Sequence, residues 1–75
     1  MQDFLDQNYE IIAKNIFNFR KKLGISQEKF AEMIGVERET ISRIETADKN
    51  NRPGLVLLMK ISYKLDVPLV DIFRA

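Results

Sequence analysis

The chain has 75 residues, room for one domain around one core. Hydrophobic residues make up 45%, charged residues 31%, and the net charge is +1, the balance of a folded globular chain rather than a disordered one. It has no cysteine and no histidine, which excludes disulfides, thiolate or imidazole zinc sites, Ser-His-Asp and Cys-His nucleophiles, and histidine acid–base chemistry. No enzyme, cofactor or metal centre is expected.

Residues 1–10 carry Asp3, Asp6 and Glu10 and no base, so they read as an acidic N-terminal extension and not as a secretory signal, which starts positive. Ile12, Ile16, Phe19 and Leu23 then recur at helical spacing and predict a first helix from about Asn8 to Leu23. Lys21 and Lys22 suit its C-terminal dipole, and Gly24 stops it. Ser26 is the N-cap of a second helix with Phe30, Ala31 and Ile34 inside, ended by Gly35. A third helix is predicted over Glu37 to Thr46, with Ile41 and Ile44 inward. Thr46 to Arg52 reads as a loop. Pro53 starts a fourth helix with Leu58, Ile61 and Leu65 inside. Asp66 and Val67 break that helix, and Pro68 takes the first position of a short fifth helix bearing Leu69, Ile72 and Phe73. No stretch alternates with the period of a strand, so the fold class is all-α, a compact bundle of five helices in a single domain over 1–75. The longest apolar run, Leu55 to Met59, is far short of the roughly 20 residues that span a bilayer, which predicts a cytoplasmic protein. A core this small supplies little net stability without a disulfide or metal, which favours a homodimer.

The charges are segregated. Lys14 to Lys64 hold eleven bases against six acids, net +5, and the two ends hold five acids against Arg74, net −4. A basic middle suits a polyanionic partner. Counting Gln27 as position one, apolar residues fall at four (Phe30), eight (Ile34), ten (Val36), fifteen (Ile41) and eighteen (Ile44). Position five is Ala31, small enough to let two helices cross closely, and position nine is Gly35, which can take the left-handed turn. That is the arrangement of a helix-turn-helix over about 27–46.

Here the chain resembles the lambda-repressor-like, XRE-type helix-turn-helix DNA-binding proteins. The resemblance covers about Ile16 to Phe73. It is carried by Gln27 after Ser26, Ala31, Gly35, Ile41 and Glu45, then by Arg52-Pro53 and Leu65-Asp66-Val67-Pro68. It implies a five-helix domain that binds duplex DNA, usually as a dimer. In size the chain also looks like small restriction–modification controllers and phage repressors. Two positions depart from the pattern: Ala47 stands where glycine is common, with a slightly longer loop after it, and Glu37 stands where a Ser or Thr N-cap is common.

With Ile41 and Ile44 inward, the third helix turns Glu39, Ser42, Arg43 and Thr46 away from the core, with Arg38 and Thr40 at the end that enters the major groove in this motif. Arg38, Glu39, Thr40, Ser42 and Arg43 are therefore the expected base-reading residues, since their groups match base edges. The competing reading is a solvated face laced with salt bridges. Gln27, in the first turn of the second helix, and Lys49, Asn50, Asn51 and Arg52, in the loop, are expected at phosphates. The resemblance implies an ion pair between Arg20 and Glu45 that ties two helices together. It also implies dimerisation through residues 66–75, with Leu69, Val70 and Phe73 at the interface and Phe4, Leu5 and Tyr9 as a possible extension. In some members acids placed like Glu28 and Glu32 touch RNA polymerase; a solvated face is the plainer reading. The function expected is a sequence-specific regulator on a palindromic operator. The alternative is a protein-interaction module or antitoxin component that uses the same fold.

Overall fold

A computed structural model describes all 75 residues, which form five helices and no strand: α1 (Gln2–Leu23), α2 (Gln27–Ile34), α3 (Arg38–Glu45), α4 (Leu55–Leu65) and α5 (Leu69–Phe73). At 1.5 Å per residue the 22 residues of α1 span about 33 Å, which accounts for the 34 Å long axis of the molecule. α1 begins six residues earlier than the expected Asn8. Tyr9 and Leu5 continue the stripe of Ile12 and Ile16 one and two turns upstream, and both are half-buried. Asn8, a capping residue by type, instead donates its side-chain N–H to the Phe4 carbonyl at 2.8 Å within the helix. The acidic extension is thus the first two turns of α1. At the other end Leu23 is 51% exposed, so the inward stripe ends at Phe19.

Each end of α2 has a chemical cause. The Ser26 hydroxyl accepts the Lys29 amide at 3.0 Å, and Gly35, at φ 86°, closes the helix by donating to Ala31 at 2.8 Å. The left-handed Gly35 lets the chain reverse, and Ala31, 2% exposed, lets α3 cross close to α2. Glu37 occupies the N-cap of α3 and makes no side-chain cap bond. Helix α4 starts at Leu55 with Gly54 as its cap, so Pro53 lies ahead of the helix, buried. Pro68, extended at ψ 142°, likewise caps α5 rather than opening it.

One core joins all five helices. Phe30, Ile16, Ile41, Ile61 and Ile72 are its fully buried side chains, one from each helix. Burying Phe30 alone contributes roughly 3 kcal/mol. The short α5 is held by polar contacts as well. Asn15 of α1 donates to the carbonyls of Ile72 and Arg74 at 2.8 and 2.7 Å, satisfying groups that a helix end leaves open. Ser62 and Val67 exchange two bonds: the Ser62 hydroxyl donates to the Val67 carbonyl at 2.6 Å, and the Val67 amide donates to the Ser62 carbonyl at 3.1 Å. No helix is long and apolar enough to cross a membrane.

Candidate nucleic-acid interface

Helix α3 stands on Ile41 and Ile44, which are buried, and its outward side carries Arg38, Glu39, Arg43 and Thr46, all exposed. Thr40 and Ser42 are half-buried at the flanks. The five residues expected to read bases are therefore on one helix, with three fully outward and two at its edges. In the free protein this face is internally paired. Arg43 Nη2 reaches Glu39 Oε2 at 3.3 Å one turn back, and Arg38 Nη1 reaches Gln27 Oε1 at 3.4 Å. These are exposed contacts of little energy, easily exchanged for others.

The inner edge of α3 is different. Arg20 and Glu45 meet through two parallel bonds, Nε to Oε2 at 2.7 Å and Nη2 to Oε1 at 3.0 Å, with side chains 8% and 3% exposed. Arg20 Nη1 also donates to the Ile25 carbonyl at 2.7 Å, and Gln27 Nε2 donates to Glu45 Oε1 at 3.0 Å. This network links α1, the turn before α2, the first turn of α2 and the last turn of α3. Gln27, expected at a phosphate, is half-buried with its amide shared between Glu45 and Arg38, so it braces α3.

The loop after α3 is built around two aspartates. Ala47 takes the left-handed conformation at φ 55°, where glycine is the unstrained choice. Asp48 then accepts the Asn50 amide and the Asn51 side-chain N–H, both at 2.9 Å. The Asn50 amide, followed by Asn51, holds the Asp48 carboxyl below its ordinary value. Lys49, Asn50 and Asn51 are exposed, as phosphate contacts must be. Arg52 is not: it is half-buried against Asp6 and the Tyr9 ring. Its hydrogen bond is the main cause that holds the Asp6 carboxyl below the usual aspartate range, against an opposing desolvation and with help from Gln2 and Lys49. Sequence reasoning missed Asp6 because its cationic partners, Lys49 and Arg52, lie more than forty residues away. Between α3 and α4, Thr40, Arg43, Asn51, Arg52 and Gly54 border one shallow groove.

On the far side, Leu69 is half-buried and packs on the core, while Val70 and Phe73 are 56% and 40% exposed. Val56, Met59 and Tyr63 of α4 are exposed too, and Met59 and Tyr63 share a cleft with Val67, Pro68 and Leu69. This α4 stripe was not singled out in the sequence, because Leu55 to Met59 reads as one apolar run. Of the upstream residues, Phe4 is 63% exposed and Leu5 is half-buried, while Tyr9 is engaged with Arg52. Glu28 and Glu32 are exposed on α2, with Glu32 3.8 Å from Lys29, an arrangement that a solvated face explains.

Residues 16–72 match the family described as Helix-turn-helix (HTH_3). The uncharacterized HTH-type transcriptional regulator YgzD of Bacillus subtilis is 39% identical over 62 residues, spanning 83% of this chain and 91% of its own. Among solved structures, a hypothetical transcription factor, NHTF, from Neisseria superposes with a TM-score of 0.82 at 27% identity, over 92% of this chain and 78% of that one. The restriction–modification controller protein C.AhdI of Aeromonas hydrophila shares the fold, with a TM-score of 0.79 at 22% identity over 91% and 96% of the two chains. The buried junction of α2 and α3, the matched residues and these relatives agree: the chain belongs to the XRE-type helix-turn-helix family of DNA-binding transcriptional regulators, which is not a family of enzymes.

Proposed function

We propose that the protein is a sequence-specific regulator that binds duplex DNA as a homodimer, with α3 in the major groove of each half-site. The observation that carries this reading is the division of α3 into a buried face and an outward face of Arg38, Glu39, Arg43 and Thr46, braced from behind by Arg20–Glu45 and Gln27. Arg38 and Arg43 have the geometry to bind guanine, Glu39 accepts from the cytosine amino group, and Thr40 and Ser42 serve at the edges of the contact. Lys49, Asn50 and Asn51 lie at the phosphates beside it. The dimer forms through the α4–α5 side, where Val56, Met59, Tyr63, Val70 and Phe73 leave an apolar surface that a monomer would expose. Two-fold symmetry then sets a palindromic operator with half-sites roughly 34 Å apart.

Selection from a random duplex library, followed by a salt titration on the enriched sequence, tests the reading. It predicts an enriched palindrome whose affinity falls steeply with salt. Binding without enrichment would remove sequence reading by α3. Absence of binding at low salt would remove the DNA reading altogether and direct attention to protein partners.

A further inference from the structure

The first two turns of α1 lie ahead of the family match, which begins at residue 16, yet they reach the loop that follows α3. Asp6 stands at the meeting point. Its Oδ1 accepts from Arg52 Nη2 and, at 3.0 Å, from Gln2 Nε2, and its Oδ2 lies 3.2 Å from Lys49 Nζ. One turn on, the Tyr9 ring centroid lies 4.6 Å from Arg52 Cζ. Tyr9, Ile12, Ile44 and Pro53 help to wall a crevice around Arg52 that admits no water. Arg52 Nε is buried there without a partner.

The two cations that Asp6 holds are unequal. The Lys49 side chain is 68% exposed and the Arg52 side chain 18%. Lys49 can swing to a phosphate at almost no cost, because a surface pair contributes little. Arg52 would have to leave a carboxylate and an aromatic ring over which its guanidinium lies. Asp6 poses the converse problem. A carboxylate beside a loop that faces phosphates repels the polyanion, so its place there makes sense only if the loop gains something from it.

We propose that Asp6 and Tyr9 form a clasp that holds Arg52 inside the protein as a strut, making Asp6 a positioning residue for the DNA-facing loop and leaving Lys49 as that loop's phosphate cation. The strut lies immediately before the buried Pro53 and anchors the far end of a loop that begins with the left-handed Ala47. Asn50 and Asn51 are thereby presented from a fixed backbone. The inference rests on the DNA-binding reading above.

Simple electrostatics and the clasp predict opposite signs for one substitution. Asp6→Asn removes a negative charge beside the loop, which by charge alone tightens DNA binding. The clasp predicts that binding to a mixed-sequence duplex of about two helical turns weakens roughly fivefold, with the salt slope unchanged. Arg52→Met should do the same, the Asp6→Asn/Arg52→Met double variant no worse than either, and Lys49→Met should lower the slope by about 0.9. Arg52→Lys keeps the charge without the guanidinium that lies over the Tyr9 ring, so the clasp predicts the loss seen for Met, whereas a phosphate contact would be retained. Tighter binding by Asp6→Asn overturns the proposal, as does a slope lowered by about 0.9 in Arg52→Met. Amide hydrogen exchange of the Asp6→Asn protein decides the matter without DNA. The Asp48 and Asn51 amides, bonded to Arg43 and Asp48, should exchange faster while those of α4 do not change. Unchanged loop protection overturns the clasp. A wild-type protein that binds no duplex at low salt would instead refute the DNA reading and leave hydrogen exchange to decide the clasp.

Discussion

Replacing Arg20 by methionine removes the cation from the most buried ion pair of the protein. Three bonds go with it: two to Glu45, at 2.7 and 3.0 Å, and one to the Ile25 carbonyl at 2.7 Å. Glu45, with a side chain 3% exposed, keeps a single donor, Gln27 Nε2 at 3.0 Å. Losing one partner of an exposed pair costs under about 1 kcal/mol. Losing one partner here should cost roughly 3–5 kcal/mol, because the survivor stays charged where water does not reach it. A domain of 75 residues has only about 4–11 kcal/mol of stability in all, so the variant sits near its folding limit. With a urea slope near 1 kcal/mol per molar, the midpoint should fall by about 3 M or more. Arg20→Met/Glu45→Leu removes both charges and fills the site with apolar groups, so it should be more stable than Arg20→Met alone. Urea unfolding followed by circular dichroism measures the cycle, at one protein concentration because the apparent stability of the proposed dimer would depend on it. An Arg20→Met midpoint within about 1 M of wild type would refute the reasoning, and so would a double variant weakened by the sum of the two single losses.

Three further outcomes follow from particular residues. Asp6 has its folded pKa held below the ordinary 3.8 by Arg52, so its stabilising contribution is present above that value and is lost as pH falls through the lowered one. Melting curves between about pH 2 and 6 should therefore show a shallower acid limb for Asp6→Asn than for wild type, and parallel limbs would contradict this. Ala47→Gly relieves a left-handed alanine and should raise stability by about 0.5–1 kcal/mol after the extra freedom of the unfolded glycine is counted; a lower melting temperature would show that Ala47 is not strained. Met59→Glu and Val70→Glu lie at positions 52% and 56% exposed, so the fold should persist, while on the proposed homodimer sedimentation should shift to monomer and DNA affinity should drop. A variant that stays dimeric would move the interface elsewhere.

Local rules made most of the fold legible. Ile12, Ile16, Phe30, Ile34, Ile41, Ile44, Leu58, Ile61, Leu65 and Ile72 are buried where their spacing predicts, because an inward face repeats every three or four residues and leaves its mark in the chain. Ser26 and Gly35 mark the ends of α2 for reasons that operate within four residues. What stayed hidden depends on contacts across the molecule. Asp6 meets Arg52 at a separation of 46 residues, and Asn15 meets Ile72 at 57, with no periodic trace of either. Leu55 to Met59 is apolar all round, so the spacing that places Leu58 inward does not mark Val56 and Met59 as exposed. Arg52 shows the sharpest gap: a basic residue in a polar loop reads as a phosphate contact, and only its neighbours in space reveal Asp6 and Tyr9 around it.

The pairing of this surface bears on how tightly such a protein would hold DNA. Arg43 is held by Glu39, Arg38 by Gln27, and Lys49 by Asp6, so each outward cation already has an intramolecular partner. A phosphate or base edge must replace that partner rather than fill a vacancy, and the net gain per contact is correspondingly small. Weak attraction to DNA at large goes with the chain's +1 net charge. Correct base pairs act differently. A bidentate Arg–guanine contact returns about 1–3 kcal/mol, enough to outweigh an exposed helix salt bridge, whereas a mismatched base leaves the Arg43–Glu39 pair as the better alternative. On the DNA-binding reading, internal pairing subtracts the same free energy from every site whose contacts displace it, so it lowers affinity without raising the ratio between specific and non-specific sites. Glu39→Gln tests the restraint on Arg43: non-specific affinity should rise as Arg43 is freed, and the same change made in an Arg43→Met background should give a smaller rise. An equal rise in both backgrounds would mean that Glu39 does not restrain Arg43.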